Sequence, residues 1–336
     1  MKCNHRWRRA IWLPVAVALG IAGCDEPMTP SWDLRESPPA AEETPPPAPA
    51  TTPPPTAENP ERLRFINQNV QNWLSMRRTV DGEQLEEAPK PDEQKRALIT
   101  MIARHQPDVF GISEVGTPQD LADIRDRLRA AGVDLPHMHH HQGIDSVRAL
   151  GLLSRHPISP ANEPADVAFR LAGRDFEMLR GILDATVTTP DGREFRFLGV
   201  HFKSKRETSR YDQAQFRIRE AHGLRNHIDA ILRADPAARL VVFGDLNDTR
   251  RSQTVVTVVG SGGSARQLIP APARDSRGQM WTHHWSYQDV YSRIDYVFVT
   301  EALRDEAQLR ESRVIDDPEW RDASDHRPIL LDFLPR

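Results

Sequence analysis

The feature that most restricts the fold is an apolar run that stops abruptly at a glycine and an acid. Val241–Phe243 has the character of a buried strand, and Gly244, Asp245, Leu246 and Asn247 follow it at once. Alternate residues of an extended chain point to the same side, so Asp245 and Asn247 are expected to project together from the carboxyl end of this strand. Glycine, aspartate and asparagine are also common turn residues. The stretch by itself is therefore consistent with either a turn or a functional site.

The amino terminus is predicted to be a targeting segment. Lys2 and three arginines precede an apolar run from Ala10 to Ala22, which is too short to span a bilayer comfortably. The run ends in Ile21-Ala22-Gly23-Cys24, which resembles the lipobox of bacterial lipoproteins. We therefore expect residues 1–23 to be a lipoprotein signal peptide and Cys24 to be lipid-modified, so that the protein is anchored in a membrane on the exported side of the bacterial cell envelope. An ordinary signal peptide with a chance cysteine is the alternative.

Residues 24–60 are predicted to be a disordered tether. Between Asp25 and Pro60 the chain has twelve prolines among Ala, Thr, Glu and Ser. This composition favours extended polyproline II and cannot bury enough apolar surface to fold, although a proline-rich recognition segment is an alternative. The only other cysteine, Cys3, lies in the signal segment, so no disulfide is expected in the mature protein. Residues 61–336 are expected to form one domain that depends on its core.

Apolar periodicity predicts an irregular alternation of strands and helices along residues 61–336. Together with a hairpin over Thr186–Phe197, this order indicates a two-sheet α/β sandwich rather than a regular parallel barrel. The predicted strands are Leu63–Val70, Pro107–Ser113, Ala149–Ser154, Leu179–Thr188, Glu194–His201, Val290–Thr300 and Pro328–Phe333, and the predicted helices are Pro91–Arg104, Pro118–Ala131 and Ser209–Arg233.

Polar residues stand at the ends of several predicted strands, where packing alone would not require them. Taken singly, each has a structural explanation: Glu114 could be a loop acid, Asp325 a turn cap, and His201 a satisfied structural histidine. Their joint occurrence in this order favours a functional site. The residues concerned are Asn69, Glu114, His201, Asp245, Asn247, Asp295, Asp325 and His326.

Together these motifs resemble those of the endonuclease/exonuclease/phosphatase superfamily, which has the deoxyribonuclease I-like fold of two packed β-sheets flanked by helices. The resemblance covers residues 61–336, the whole predicted domain. The matching motifs are Asn69 after the first strand, the strand that ends at Glu114, the segment around His201, Gly244-Asp245-Leu246-Asn247, Arg293-Ile294-Asp295-Tyr296 and Ser324-Asp325-His326.

The resemblance implies metal-assisted hydrolysis of a phosphate ester. Glu114 is a hard oxygen ligand of the kind that magnesium prefers, and Asn69 and Asp325 are expected to complete or support the metal site. Magnesium keeps several waters and takes few protein carboxylates, so this sparse set of ligands suits it. Mg²⁺ is the expected ion, with Mn²⁺ or Ca²⁺ as alternatives.

The resemblance also implies a group that activates the attacking water. Asp245 and His326 are the two candidates, and Asp295 is expected to hold the imidazole in its useful tautomer. Which of the two accepts the proton stays open.

Three residues are implied to contact the phosphate. Asn247 is expected to donate to a phosphate oxygen, because an amide brings no charge repulsion. His201 is expected to be a second phosphate contact or the acid that protonates the leaving group. Arg180 falls where many members of the superfamily have a phosphate-binding arginine.

Nucleic acid is the expected substrate, and the protein is expected to be monomeric with no protein partner. Lys203, Lys205 and Arg206 beside His201 supply cations for a polynucleotide, although the formal net charge of -4 argues against coating nucleic acid by bulk attraction. The alternatives are a phosphomonoesterase or a phospholipid or inositol-phosphate hydrolase on the same fold, and a non-catalytic phosphate-binding module. The sequence leaves open DNA against RNA, and endonucleolytic against exonucleolytic cleavage.

A dense group of histidines follows Pro136. His137, His139, His140 and His141 are predicted to lie in a loop. Their spacing fits no standard helical pair of ligands, so whether they bind a transition metal stays open.

Overall fold

A computed structural model of the protein describes residues 62–80, 82–162, 165 and 167–335. The signal peptide predicted at residues 1–23, the lipid modification predicted at Cys24 and the tether predicted up to residue 60 lie outside these residues and stay predictions. Within the described part of the chain, no helix combines the length and the apolar character needed to cross a membrane.

Eighteen strands and five α-helices are assigned in the described ranges. The strands are β1 (Leu63–Trp73), β2 (Met76–Val80), β3 (Glu83–Ala88), β4 (Val109–Val115), β5 (His137–His141), β6 (Ala149–Ser154), β7 (Ile158–Pro160), β8 (Ala168–Leu171), β9 (Arg174–Glu177), β10 (Leu183–Thr188), β11 (Glu194–His201), β12 (Leu240–Asp245), β13 (Ile269–Pro270), β14 (His283–Trp285), β15 (Val290–Ser292), β16 (Asp295–Val299), β17 (Arg313–Val314) and β18 (Ile329–Phe333). The helices are α1 (Asp92–Arg104), α2 (Pro118–Ala130), α3 (Gln213–Ala234), α4 (Gln253–Val259) and α5 (Trp320–Ala323).

Two six-stranded mixed sheets contain the long strands. The first has the order β17-β18-β1-β4-β6-β5 and the second the order β13-β16-β12-β11-β10-β7. Each contains one parallel pair, β1 with β4 and β11 with β12. The carboxyl end of β1 lies beside the start of the antiparallel strand β18, and the carboxyl end of β12 lies beside the start of β16, where Asp245 pairs with Asp295. In each sheet, the carboxyl end of one strand and the amino end of its antiparallel neighbour therefore lie side by side.

The two sheets pack face to face over an apolar core in which Phe243 touches both. Its ring meets Phe65 of the first sheet edge-on, at 5.1 Å between centroids and an interplanar angle of 68°. A Cβ atom built on Gly111 of β4 would lie 2.4 Å from this ring, and one on Gly199 of β11 would lie 2.7 Å from it. Glycines in both sheets therefore leave the space that Phe243 fills.

Helices cover the two outer faces of the sandwich. α1 and α2 pack on the first sheet through residues such as Leu98 and Leu121, and α3 and α4 pack on the second through residues such as Leu224 and Val255. α2 begins with a capping box at Thr117, whose side chain accepts from Asp120 N while the Asp120 carboxylate accepts from Thr117 N. The predicted two-sheet sandwich flanked by helices is confirmed.

The histidine-rich segment differs from its prediction. Residues His137–His141 are not a loop but the edge strand β5, which pairs antiparallel with β6 from His137 opposite Ser154 to His141 opposite Leu150. The segment has no alternation of apolar and polar residues, because its side chains are partly exposed and backbone hydrogen bonds hold the strand in place.

Two predicted strands also have different bounds. The predicted strand Leu179–Thr188 begins only at Leu183, and the predicted strand Val290–Thr300 is divided into β15 and β16. β15 leaves the second sheet and pairs with β14 instead, in a hairpin whose register sets His284 opposite Tyr291. Strands as short as β14 and β15 were not predicted from the sequence, because three residues are too few to show an alternation of apolar and polar side chains.

Candidate active site

Strand parity brings the polar residues of the second sheet into the cleft between the sheets. Phe243 of β12 and Val297 of β16 point into the core between the sheets, so Asp245 and Asp295, two residues away on each strand, point to the same side. His201 has the same parity on β11 as the core residue Phe197. All three polar side chains are at least 97% buried, and they lie where the apolar core ends.

Asn69 joins the first sheet to this group. Its amide nitrogen Nδ2 donates to Asp245 Oδ2 at 3.2 Å, across the gap between the sheets. Its amide oxygen accepts from the backbone nitrogen of Gln71 at 3.0 Å. Asn69 therefore orients Asp245, and its predicted support of the metal site would act through that contact.

Glu114 reaches the cleft because the backbone of β4 is irregular there. Strand parity would turn it toward the helices, but Glu114 has φ of 67° and the register with β6 shifts between Ser113 and Val115. Its Oε1 lies 3.7 Å from His201 Nε2, and its Oε2 accepts from Asn72 N at 3.0 Å. A left-handed glutamate is an unfavourable conformation that the surrounding structure must hold, and such residues concentrate at functional sites.

His326 is held by Asp295. Its Nδ1 donates to Asp295 Oδ2 at 2.8 Å, and its Nε2 lies 3.9 Å from Asp245 Oδ2 and 3.8 Å from Asp325 Oδ1. Burial alone would lower the pKa of His326, but the charge of Asp295 and its hydrogen bond, with Asp325 and Asp245 adding to them, raise that pKa well above its usual value. The ring is therefore charged at neutral pH, with Nε2–H facing the cleft.

Asp245 is a buried carboxyl group crowded by another. Burial, and then the charge of Asp295, raise its pKa to about 8, against the opposing effect of His326. Its Oδ1 accepts from the backbone nitrogen of Asn247 at 2.7 Å. Asn247 has φ of 50°, and its Nδ2 donates to Phe202 O at 3.1 Å and to Asp245 Oδ2 at 3.3 Å. The predicted phosphate donor thus bonds within the protein in this structure.

His201 and Arg180 lie beside each other at the other end of the group. Burial and the nearby Arg180 guanidinium lower the pKa of His201 well below its usual value, so the ring is neutral at pH 7. Within the described residues, His201 Nδ1 is buried without a hydrogen-bond partner. Arg180 is 7% exposed and its Nε lies 3.1 Å from Asp145 Oδ2. Both predicted phosphate contacts therefore border the same cleft.

The residues present fit a divalent cation. Among the described residues, Asp295 Oδ1 and Asp325 Oδ1 are buried carboxylate oxygens with no hydrogen-bond partner. Side-chain oxygen and nitrogen atoms of Asp245, Asp295 and His326 lie within 4.8 Å of one another, as do those of His283, Asp325 and His326. The charged His326 ring cannot itself bind a cation, so the carboxylates and His283 would supply the ligand atoms. Buried carboxylates without partners are costly unless a cation compensates them. The predicted ligand Glu114 is in neither group, although its Oε1 lies 3.7 Å from His201 Nε2. Asn69 contacts the first group through its bond to Asp245.

Three residues near the cleft escaped the sequence analysis. His283 contacts His326, with 4.6 Å between ring centroids and the two rings tilted by 46°. Lys90 is 1% exposed, and burial and Arg78 lower its pKa to about 8, while Asp325 and Glu114 oppose them. In the sequence, Lys90 precedes a proline and looks like a loop residue. Of these two residues, only His283 could have been suspected from the sequence, because it stands next to a second histidine, His284.

Glu220 is the third, and it ties two loops of the cleft together. Its carboxylate accepts from the backbone nitrogens of Lys203 at 2.6 Å and Leu179 at 3.4 Å. It is fully buried in α3, and burial raises its pKa to about 7 although the bond from Lys203 N opposes this. The loops that follow His201 and precede Arg180 are therefore fixed to the same helix.

The remaining predicted features lie elsewhere. In the described ranges, the groups that could hold a metal ion include none of His137, His139, His140 and His141. A cavity of about 880 Å³ lies over α3 and β10, lined by residues such as Arg219 and His222. It contains none of the predicted site residues, which lie in the cleft at the strand ends.

Comparison with known proteins gives one family. The model of the Endonuclease/Exonuclease/phosphatase family matches residues 76–326, a range that holds every predicted site residue from Glu114 to His326 and leaves out Asn69. Among curated proteins, no sequence matches this chain.

Solved structures share the fold. An endonuclease/exonuclease/phosphatase family protein from Leptotrichia buccalis C-1013-b has a TM-score of 0.55 and 18% identity, covering 81% of this chain and 99% of its own. The human Nocturnin catalytic domain with bound sulfate anion has 0.55 and 17%, covering 81% and 94%. Truncated TDP2 from Caenorhabditis elegans has 0.55 and 16%, covering 82% and 98%. At such identities the likeness shows the fold alone, and the predicted deoxyribonuclease I-like fold is confirmed.

Proposed function

Since the chain belongs to the endonuclease/exonuclease/phosphatase family, a family of divalent-metal-dependent hydrolases of phosphoester bonds, we propose that it is a phosphodiesterase that cleaves nucleic acid. The observation that carries the proposal is the buried group of Asp245, Asp295 and His326, which Asn69 joins to the opposite sheet. A purely structural group would not leave a carboxylate oxygen of Asp295 buried without a partner among the described residues.

Mg²⁺ is the proposed ion, held by Asp325 and Glu114 with the support of Asn69. When bound, it supplies positive charge that stabilises the phosphate and the leaving oxygen. Asp325 suits this role because its side chain is 37% exposed and its Oδ1, which lies 3.8 Å from His326 Nε2, has no hydrogen-bond partner among the described residues.

Asp245 is proposed to accept the proton of the attacking water. A general base works best when its pKa is near the working pH, and burial, together with the charge of Asp295, raises the pKa of Asp245 to about 8. His326, kept charged by Asp295, is then free to donate from Nε2 to a phosphate oxygen. The sequence left open which of Asp245 and His326 accepts the proton, and this proposal assigns that role to Asp245.

His201, Arg180 and Asn247 are proposed to bind the phosphate. The neutral His201 ring can donate without repelling a cation, and the Arg180 guanidinium supplies charge. Asn247 would have to exchange one of its bonds, to Asp245 or to Phe202 O, for the phosphate oxygen. Such an exchange costs little when one hydrogen bond replaces another.

The cations beside His201 support a polynucleotide as the substrate. The side chain of Lys205 is 53% exposed and its Nζ lies 3.3 Å from Asp248 Oδ1, and the Lys203 backbone is fixed by Glu220. To test the proposal, the full chain is incubated with plasmid DNA, RNA, sphingomyelin and inositol phosphates, first with Mg²⁺ and then with a chelator. Cleavage of DNA or RNA that the chelator stops is the expected result; intact nucleic acid beside a cleaved lipid or inositol phosphate would overturn it.

Two variants test the site. Asp245→Ala and His326→Ala are each expected to abolish turnover while the far-ultraviolet circular dichroism spectrum is unchanged. The matched control is Asp175→Ala, which removes a carboxylate that is 86% exposed on β9. Rates near those of the parent protein in either site variant would contradict the assignment.

Anchoring through a lipid on Cys24 is proposed as well, with a monomeric protein on the exported side of the bacterial cell envelope. The support is the lipobox-like sequence at Ile21-Ala22-Gly23-Cys24. Several acyl chains on one residue give stable anchoring. Cys24→Ser is expected to move the protein from the membrane fraction to the soluble fraction, and a variant that stays in the membrane fraction would rule out this anchor.

A further inference from the structure

The aromatic hairpin, formed by β14, β15 and residues 286–289 between them, lies against the segment that carries Asp325 and His326. His284 N donates to Asp325 O at 2.9 Å, and Arg327 N donates to Thr282 O at 2.6 Å. The ring of His283 contacts the ring of His326 at an interplanar angle of 46°. The hairpin is therefore a wall of the proposed active site.

Register divides the hairpin into two faces. His283 pairs with Ser292 and Trp285 pairs with Val290, so these four side chains share one face, the face on which His283 meets His326. Trp285 stands two residues beyond His283, about 7 Å farther along the strand. That is a distance which a nucleoside attached to the bound phosphate can cover.

The opposite face anchors the hairpin. His284 stacks on Tyr291 at 4.2 Å and 11°, Tyr291 meets Trp281 at 4.8 Å, and Trp281 meets Trp320 at 5.2 Å. The Arg327 guanidinium lies 3.3 Å from the centre of the Trp281 ring. These ring contacts hold the hairpin in place, although Tyr291 itself is 47% exposed, so the rings on the other face have a fixed position relative to His326.

The cleft-side rings are uncovered. Trp285 is 47% exposed and Tyr287, at the turn, is 84% exposed, with 6.0 Å between their ring centroids. Large aromatic side chains exposed together at the rim of a site mark a surface that binds a ligand. A flat ring offered beside a phosphate site suits a nucleobase, since every base can stack on an aromatic side chain.

A nucleobase fits this surface better than a membrane does. The hairpin from Thr282 to Ser292 contains no lysine or arginine, and Asp289 at its turn has a side chain that is 81% exposed. Interfacial binding to anionic lipid needs basic residues around the apolar ones. Base stacking needs only the aromatic rings, because Lys205 and Arg180 supply the positive charge for the phosphates.

We propose that Trp285 and Tyr287 form a stacking subsite for the nucleobase next to the scissile phosphate. The proposal rests on the proposed function, because it needs a nucleic-acid substrate. A base must be unpaired to lie on these rings, so the enzyme would favour single-stranded nucleic acid or frayed ends over intact duplex.

The test measures binding without turnover. A fluorescein-labelled single-stranded oligodeoxyadenylate and the same strand with abasic residues are titrated with the full chain in chelator, and fluorescence anisotropy gives the Kd of each. The parent protein is expected to bind the base-bearing strand roughly tenfold or more tightly than the abasic strand. The double substitution of Trp285→Ala with Tyr287→Ala is expected to remove this preference and leave the Kd of the abasic strand unchanged.

Two variants separate stacking from mere packing. Trp285→Phe combined with Tyr287→Phe keeps both rings and should keep most of the preference, whereas Val256→Ala, which trims a side chain that is 50% exposed on α4, should change nothing. Equal binding of the two strands by the parent protein would overturn the stacking subsite, even if the chain cleaves DNA. A double alanine variant that keeps the preference but loses binding to phosphatidylcholine–phosphatidylglycerol vesicles would show a membrane contact instead.

Discussion

Nδ1 of His326 donates a hydrogen bond to Oδ2 of Asp295 at 2.8 Å, and both residues are at least 95% buried. This bond fixes the orientation of the ring and turns Nε2 toward the cleft. In the proposed mechanism, Asp295 therefore acts on the substrate through His326.

Replacing Asp295 with asparagine should expose this role. Asp295→Asn keeps the shape of the side chain but removes the charge that raises the pKa of His326, so that pKa should fall. We expect the rate to drop about 10²- to 10⁴-fold, the usual worth of a positioned acid or base. Proton NMR titration of the His326 ring, beside kinetics, checks both effects; an unchanged ring pKa would show that Asp295 does not control the imidazole.

Magnesium should stabilise the folded protein through Asp325. A ligand that binds only the folded state raises its stability by mass action, about 2.7 kcal/mol at a concentration of 100 times Kd. The Tm of the parent protein should therefore rise with added Mg²⁺ and fall again with chelator, and Asp325→Asn should abolish most of the rise. Asp322→Asn, three residues away on α5, is the matched control. If Asp325→Asn responds to Mg²⁺ as the parent does, Asp325 is not a ligand.

Glu220 should make stability depend on pH. Its folded-state pKa of about 7 lies above the usual value of 4.5 because of burial, so folding takes up a proton and stability falls as pH rises from about 4.5 to about 7. Glu220→Gln has no such proton, and the difference in unfolding free energy between variant and parent should move in favour of the variant by about 3 kcal/mol between pH 4 and pH 8. Urea unfolding at both pH values measures it. A difference that stays constant with pH would mean that the folded carboxyl group is ionised throughout.

Gly244 should tolerate no side chain. It has φ of 133°, and a Cβ atom there would lie 1.9 Å from Val200 O, so Gly244→Ala must push apart two neighbouring strands. We expect a loss of more than about 3 kcal/mol, or no soluble protein. Gly192→Ala is the control: its φ is 81° but nothing lies within 4 Å, so it should cost only about 1–2 kcal/mol. Similar losses in both variants would show that backbone conformation, and not the contact with Val200, sets the cost.

The sequence alone was enough to predict those features of the site that depend on a single strand. A period of two and a buried apolar run are enough to put Asp245 on the same face as Phe243, and the same parity applies to His201. The order of strands and helices indicated the two-sheet fold, and the order of the motifs then indicated the family. These features depend on local pattern, which a single sequence displays.

The rest depends on contacts between distant segments. Glu114 enters the cleft through a left-handed backbone and a register shift, neither of which its neighbours in sequence predict. His283 became part of the site because β14 pairs with the segment of His326. In the sequence, Glu220 looks like any polar residue of a helix. Its role depends on the backbone nitrogens of Leu179 and Lys203, which are distant in sequence and donate to it in the folded protein. Backbone irregularity and tertiary packing, which leave no periodic trace, explain all three.

The contact between Asn69 and Asp245 spans two sheets that Phe243 holds together. Neither sheet alone contains the site, because β1, β4 and the start of β18 supply one half and β11, β12 and β16 the other. In the proposed mechanism, a chain that has formed its strands but not closed its core would have no place to bind a phosphate. The proposed activity would therefore depend on the packing of the two sheets against each other as well as on the residues of the site.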